Sequence, residues 1–374
     1  MKQFNLITSF LISITLLLSS CANDDNSTPK DDFDRAKMDL LFSTLEDKGF
    51  LMGASISISK NNREVYQRSI GLAEFDNTIP ISSQTKFKIG SMTETFTACM
   101  ILQLVEEGKL ALNTPLSNYY PEMPNSSTIT IEYLLRHRSG LVNYVYDPDF
   151  SNWGTQAITE AEFIERFIEY GTSTEPYTVF EYSNTNYVLL GFIIEKIDGK
   201  SYADALEDRI TNRINLSNTY YYGETINTTN NEALSYDYWN DTWNPSPQFH
   251  ASVWGGAGAI MSTPTDLNTF YEALFEDKII TEASLSEMTK NIDWSAGMGI
   301  FSGMTISGKP FIVNFGDIDN FSSITFYFPE EDVCMSYITN GLNFQRFDEF
   351  LEFNIPIAFI DIYFGEDYTI PIGE

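Results

Sequence analysis

The chain has 374 residues, enough for one large domain or two small ones with a sizeable core. Its 43% hydrophobic and 14% aromatic content excludes a disordered chain. The formal net charge of −30, with no run of Lys or Arg, argues against nucleic acid or anionic lipid as a general partner and fits a well-solvated surface.

In chain order, Lys2 precedes an apolar run from Phe4 to Leu18 that leads into Ser19-Ser20-Cys21. That run is short for a membrane span and has the layout of a secretory signal. "LLSSC" resembles the processing site of bacterial lipoproteins. Residues 1–20 then read as a signal peptide and Cys21 as the lipidated first residue of the mature chain. The plainer alternative is an ordinary signal with an incidental cysteine. The acidic stretch over 21–35 reads as a flexible tether, and 36–374 as the folded domain. An acidic tether beside a lipid cysteine resembles surface-exported lipoproteins of some Gram-negative bacteria, so the expected location is the outer membrane or cell surface.

Residues 51–60 alternate like a strand, Asn61-Asn62 make a turn, and 63–75 read as the returning strand. From Ser91 to about 110 the pattern is helical, with Phe96, Met100 and Leu104 on one face and Gly108 as the stop. A helix is expected after Thr130, ending at Gly140. Two more are expected from 186 to 210, broken at Gly199. Residues 218–250 read as loop and short elements, and 263–275 as a helix with Thr265 or Asp266 near its start. Strands return after about 297, and the last apolar segment reads as a helix interrupted at Pro356. Strands at both ends with helices between predict one sheet built from N- and C-terminal segments plus a helical insert.

Cys99 and Cys334 lie in apolar surroundings and read as buried thiols. His137 and His250 are the only histidines, which excludes a multi-histidine zinc site. No cofactor is expected. In "FKIGSMTETFTACM", Ser91 and Glu94 fall one turn apart at a helix start. Unpaired N–H groups there favour developing negative charge, but a serine hydroxyl also needs a base.

Four blocks, "FKIGSMTETFTACMILQLVEEGKLALNTPLSNYYPE", "TITIEYLLRHRSGL", "EYSNTNYVLLGFIIEKIDGKSYADAL" and "GGAGAIMSTPTDL", resemble in order and spacing those of the serine β-lactamase-like family. That family includes class C-type β-lactamases, D-alanyl-D-alanine carboxypeptidases and related esterases. The resemblance implies an α+β fold of the β-lactamase/penicillin-binding-protein type, with an antiparallel sheet flanked by helices and a helical subdomain facing the active site. It also implies three motifs: Ser-x-x-Lys, Tyr-x-Asn, and a Lys-Thr-Gly or His-x-Gly on the sheet edge. One oxyanion donor comes from a backbone N–H just past the third.

Tyr182-Ser183-Asn184 matches the second motif, making Tyr182 a catalytic position and Asn184 a substrate-binding one. In the first, Ser91 is present but Glu94 occupies the lysine position. A lysine lowers the pKa of the serine and tyrosine beside it, whereas an ionised glutamate does the reverse. Glu94 itself, with an ordinary pKa of about 4.3, is a weak base for a serine proton unless burial raises it. In the third motif "NFGDIDNFSS" places Asp317 at the basic position, with Asp317 and Asn320 as the substrate-side candidates. Rescue by Lys86 or Lys88 is not expected, and Lys88 matches a solvent-facing family position. His137 matches a structural family position. Clustered Glu94, Asp317 and Asp319 also suit a hard cation, a reading ranked behind drift or non-catalytic binding.

The leading expectation is a lipid-anchored family member with impaired or lost acyl transfer that binds cell-wall or peptide-like ligands in its cleft. The alternative is a working esterase, DD-peptidase or β-lactamase type hydrolase with Ser91 as nucleophile and Glu94 or another group as base. Expected partners are a peptidoglycan-derived or small ester or amide ligand and the membrane through Cys21, with no nucleic acid.

Overall fold

The structure is a computed structural model describing residues 33–223, 225–292, 295–345 and 351–368. Cys21, the expected signal peptide and most of the tether lie outside the described residues. Helix α1 (Arg35–Asp47) leads into strands β1 (Gly53–Lys60), β2 (Arg63–Glu74), β3 (Ile79–Pro80) and β4 (Phe87–Lys88), then α2 (Thr93–Glu106). A helical region follows with α3 (Ile131–Leu135), α4 (Glu160–Tyr170) and α5 (Asn184–Asp198). Short strands β5 (Tyr220–Tyr221), β6 (Tyr236–Trp239) and β7 (Thr242–Pro245) precede α6 (Ala251–Gly258), β8 (Ile260–Ser262), α7 (Pro264–Phe275) and α8 (Glu282–Thr289). The chain ends in β9 (Phe301–Met304), β10 (Pro310–Ile318), β11 (Phe321–Phe328), β12 (Val333–Thr339) and α9 (Leu351–Phe364).

Seven strands form one antiparallel sheet in the order β3-β2-β1-β12-β11-β10-β9. The β1–β12 pair joins the two ends of the domain, as the strand pattern predicts. Asn61-Asn62 (φ 51° and 56°) turn the β1–β2 hairpin, and Asp319-Asn320 (φ 50° and 66°) turn β10–β11. Asn and Asp tolerate this left-handed conformation, which suits the twist of two-residue hairpin loops.

The sheet separates two cores because strand residues alternate faces. On β1, Ile56 and Ile58 join the outer core with α1 and α9, where Phe42 stacks on Phe359 at 5.1 Å. Ser57 and Ser59 face α7 instead: Ser57 Oγ accepts from Asn268 Nδ2 at 3.1 Å, and Ser59 Oγ donates to Glu272. The inner core includes Phe96 of α2 stacked on Phe270 of α7 at 3.7 Å.

Caps account for several helix ends. Thr159 forms a capping box with Glu162 at the start of α4. Thr263, the first residue of the expected stretch and two before Thr265, caps α7 with Pro264 in its first turn. Gly199 (φ 67°) ends α5 in the left-handed conformation, as expected.

Two expectations are corrected. Helix α9 continues through Pro356, because burial of Ile355, Phe359 and Ile362 outweighs one lost N–H bond. Helix α3 stops at Leu135 and does not reach Gly140. Beyond it Arg136 turns inward to Glu287 Oε1 (2.7 Å) and Lys290 O (2.8 Å), and His137 adopts φ 51°. Cys99 and Cys334 are both buried free thiols.

The Phe42–Phe359 stack joins α1 to α9, and Phe359 also meets Tyr337 of β12 at 5.3 Å. Phe359→Ala is expected to cost about 3–5 kcal/mol, measured by chemical denaturation.

Candidate active site

Ser91 sits in a tight 3₁₀ turn, Gly90–Met92, directly before α2. Gly90 takes φ 52°, and Ile89 N donates to Ile260 O at 3.0 Å, which anchors the turn to β8. Strand β10 lies against the other side. A Cβ on Gly316 would stand 2.2 Å from Ile89 O and 2.5 Å from Ser91 N, so only glycine fits there. The backbone N–H of Asp317 lies against the same turn, 3.0 Å from where a Cβ on Gly90 would be.

The segment entering α5 supplies the second wall. Tyr182 Oη lies 2.8 Å from Ser91 Oγ and 2.8 Å from Glu94 Oε1. When Glu94 is ionised, the single Tyr182 proton goes to the carboxylate, leaving the phenol oxygen to accept from Ser91. Glu94 Oε2 lies 3.3 Å from His137 Nε2, and both side chains are buried, at 4% and 3% exposure. Ser183 N donates to His137 Nδ1 at 3.2 Å. A backbone N–H can only donate, so the ring proton sits on Nε2 and points at Glu94. Ser91, Tyr182, Glu94 and His137 therefore form one hydrogen-bonded chain from the cleft into the helical region. Asn184 Oδ1 lies 3.5 Å from Tyr182 Oη, while its Nδ2 donates to Asn143 Oδ1 at 3.3 Å.

Strand alternation relocates the third-motif candidates. Asn314, Gly316 and Ile318 face the Ser91 side; Phe315 and Asp317 face the outer side. Asp317 lines a small pocket there with Phe315, Ser322, Ile324, Tyr337 and Pro356, and its carboxylate does not face Ser91. Counting back from Gly316, the basic position of Lys-x-Gly falls on Asn314. Its amide donates to Thr95 Oγ1 (2.7 Å) and Gly299 O (2.9 Å). Asn320 is not brought to Ser91 in any contact; its Nδ2 donates to Ser246 Oγ at 2.8 Å.

Lys88 is buried at 2% exposure, which corrects its expected solvent-facing placement. Its ammonium contacts Asp319 Oδ2 at 2.6 Å and Gln248 Oε1 at 2.9 Å, over the Tyr222 ring. The nearest cation in sequence is thus committed to the hairpin tip. Glu94, Asp317 and Asp319 do not converge, and among the described residues no group of three His, Cys, Asp or Glu could hold a metal ion. His250 caps α6, its Nδ1 accepting from Ser252 N at 3.1 Å.

Burial pushes the Glu94 carboxyl above the usual carboxylate range, opposed by His137 and by the Tyr182 hydrogen bond. Burial and then the Glu94 charge push Tyr182 well above the usual phenol range. A tyrosinate base is therefore unavailable near neutral pH. The group best matched to a proton from Ser91 is Glu94, reached through Tyr182.

Two of these residues escape sequence reasoning. His137 is visible as one of only two histidines, but nothing in its block reveals that its ring reaches Glu94. Asn314 emerges only once the strand faces are known.

A family model described as Beta-lactamase matches residues 38–356. A penicillin-binding protein of Bacillus subtilis is 27% identical over 357 residues, covering 90% of this chain and 78% of that protein. Protein flp of Staphylococcus aureus is 28% identical over 312 residues, covering 78% of this chain; the chain spans 60% of its length. A solved D-amino acid amidase from Ochrobactrum anthropi superposes with a TM-score of 0.74 at 27% identity, covering 88% of this chain and 97% of that one.

A raised Glu94 pKa means that the folded chain holds a proton the unfolded chain has released. Stability from this group therefore falls as pH rises above the ordinary value of 4.5, until the folded pKa is passed. Glu94→Gln removes that loss. Its thermal midpoint relative to wild type is expected to improve as pH rises above that ordinary value, measured by calorimetry.

Proposed function

The chain belongs to the beta-lactamase family, and from that premise we propose a serine-hydrolase relative with impaired or lost acyl transfer whose cleft binds peptide-like, cell-wall-derived ligands. The observation that carries this reading is Glu94 in the lysine position, buried and bonded to Tyr182 and His137. The family route needs a cation beside Ser91 and Tyr182 to hold their deprotonated forms, and Glu94 disfavours both. The cleft itself keeps its parts: the Ser91 turn, Tyr182, Asn184 and the close approach of β10. Similarity to a penicillin-binding protein and a D-amino acid amidase supports amide-bearing ligands with D-configured residues. We also propose attachment to the outer membrane or cell surface through a lipid on Cys21, on the strength of "LLSSC".

One observation favours a second reading, an active esterase, DD-peptidase or β-lactamase type hydrolase. Tyr182 Oη bridges Ser91 Oγ and Glu94 Oε1 at 2.8 Å each, so a buried carboxylate is connected to the nucleophile by one hydroxyl.

A fluorescent penicillin or a fluorophosphonate probe, read by intact mass, separates the two. The first reading expects no stable Ser91 adduct in the wild type and a modest gain with Glu94→Lys. Stable labelling that Ser91→Ala abolishes overturns it in favour of the second. Fractionation of expressing cells checks the anchor: Cys21→Ala is expected to move the protein from the membrane to the soluble fraction, and unchanged membrane association refutes the lipid.

A further inference from the structure

Three features converge on His137. Its tautomer is set by two donors to Nδ1, Ser183 N at 3.2 Å and the Asn186 amide at 3.3 Å. Asn186 is itself oriented by Ser139, whose hydroxyl donates to Oδ1 at 2.5 Å. The backbone of His137 lies at φ 51°, a conformation that a non-glycine residue keeps only when its surroundings enforce it. Here Glu181 N donates to His137 O at 2.9 Å and Tyr177 N to Arg138 O at 2.7 Å, locking the segment to the chain that carries Tyr182. The ring is flanked by Tyr182 and Tyr187 at 4.4 and 5.1 Å, and Tyr187 is held by its bond to Leu135 O at 2.7 Å.

We infer that His137 is a positioning residue for Glu94: its Nε2–H holds the buried carboxylate where it accepts the Tyr182 hydroxyl, and so fixes the path by which the Ser91 proton leaves. For turnover this rests on the second reading above. The step balances. As Ser91 Oγ bonds to an acyl carbon, its proton passes to Tyr182 Oη and the proton of Tyr182 passes to Glu94 Oε1. Tyr182 is unchanged, Glu94 becomes neutral and His137 keeps its proton. Run backwards, the same path delivers the proton from Glu94 to the departing amine or alkoxide. The other ionisable groups that feel the Glu94 charge are the hydroxyls of Tyr144 and Tyr187. Arg136, next in sequence, is engaged by Glu132 and Glu287.

Asparagine at 137 reproduces an acceptor near Nδ1 but offers nothing toward Glu94, whereas glutamine reproduces a donor near Nε2. Thermal melts of wild type, His137→Asn, His137→Gln, Glu94→Gln and the His137→Asn/Glu94→Gln double variant measure the coupling. At an alkaline pH where Glu94 is ionised, His137→Asn is expected to lower the midpoint by about 2–4 °C, and by much less in the Glu94→Gln background. At a second, acidic pH the two backgrounds converge as Glu94 gains a proton. His137→Gln recovers most of the loss. Where the wild type reacts with a fluorophosphonate probe, Ser91 Oγ bonding phosphorus as fluoride departs, His137→Asn slows labelling roughly ten- to hundred-fold. His137→Gln labels close to the wild-type rate. Equal costs of His137→Asn in both backgrounds at both pH values overturn the assignment. So does a labelling rate in His137→Asn equal to that of a wild type that labels. Coupling without labelling of the wild type refutes turnover and leaves the positioning role standing.

Discussion

The carboxyl of Glu94 is held out of water, and the arrangement around Ser91 follows from the donors it requires. A buried carboxylate without hydrogen bonds is costly, so its two oxygens take the Tyr182 hydroxyl and the His137 Nε2–H. Tyr182 then has only its oxygen to offer Ser91, and His137 must hold a left-handed backbone to reach its place. A lysine here would present donors where Glu94 presents acceptors. The replacement therefore reverses hydrogen-bond polarity as well as charge, and His137 Nε2–H suits only the acceptor.

The sheet divides the molecule into a reactive side and a supporting side. Its outer face is closed by α1 and α9 through contacts such as Phe42 on Phe359. Its inner face meets the Ser91 turn at Gly316, where the backbones come too close for a side chain. The same alternation that makes β1 read Ser-Ile-Ser-Ile decides that Asn314 and Gly316 belong to the site and Asp317 does not. At the far end of β10, the buried Lys88–Asp319 pair holds the hairpin tip, with Phe249 N donating to the same carboxylate at 3.4 Å.

Much of the fold was legible in the sequence because it rests on short-range signals. The β1–β2 hairpin announces itself by alternation around Asn61-Asn62, and α5 by its apolar face and Gly199. Ser91, Glu94 and Tyr182 were legible through block order. The strand face of Asp317 was not, since the altered motif does not fix the register to one residue and each such step swaps faces. His137 was also illegible as a neighbour of Glu94, because the contact depends on a backbone turn no local propensity favours. Pro356 misled for the opposite reason: a local breaker was overruled by burial.

Ser183 occupies the N-cap position of α5 without a side-chain capping bond, and amides at the start of a helix ordinarily have no internal partner and exchange freely with solvent. This one donates to a buried imidazole nitrogen. Its deuterium uptake is therefore tied to the state of the His137 ring. A single backbone position, spectroscopically separable from every side chain in the cleft, reports whether the chain of hydrogen bonds behind Ser91 is closed or broken.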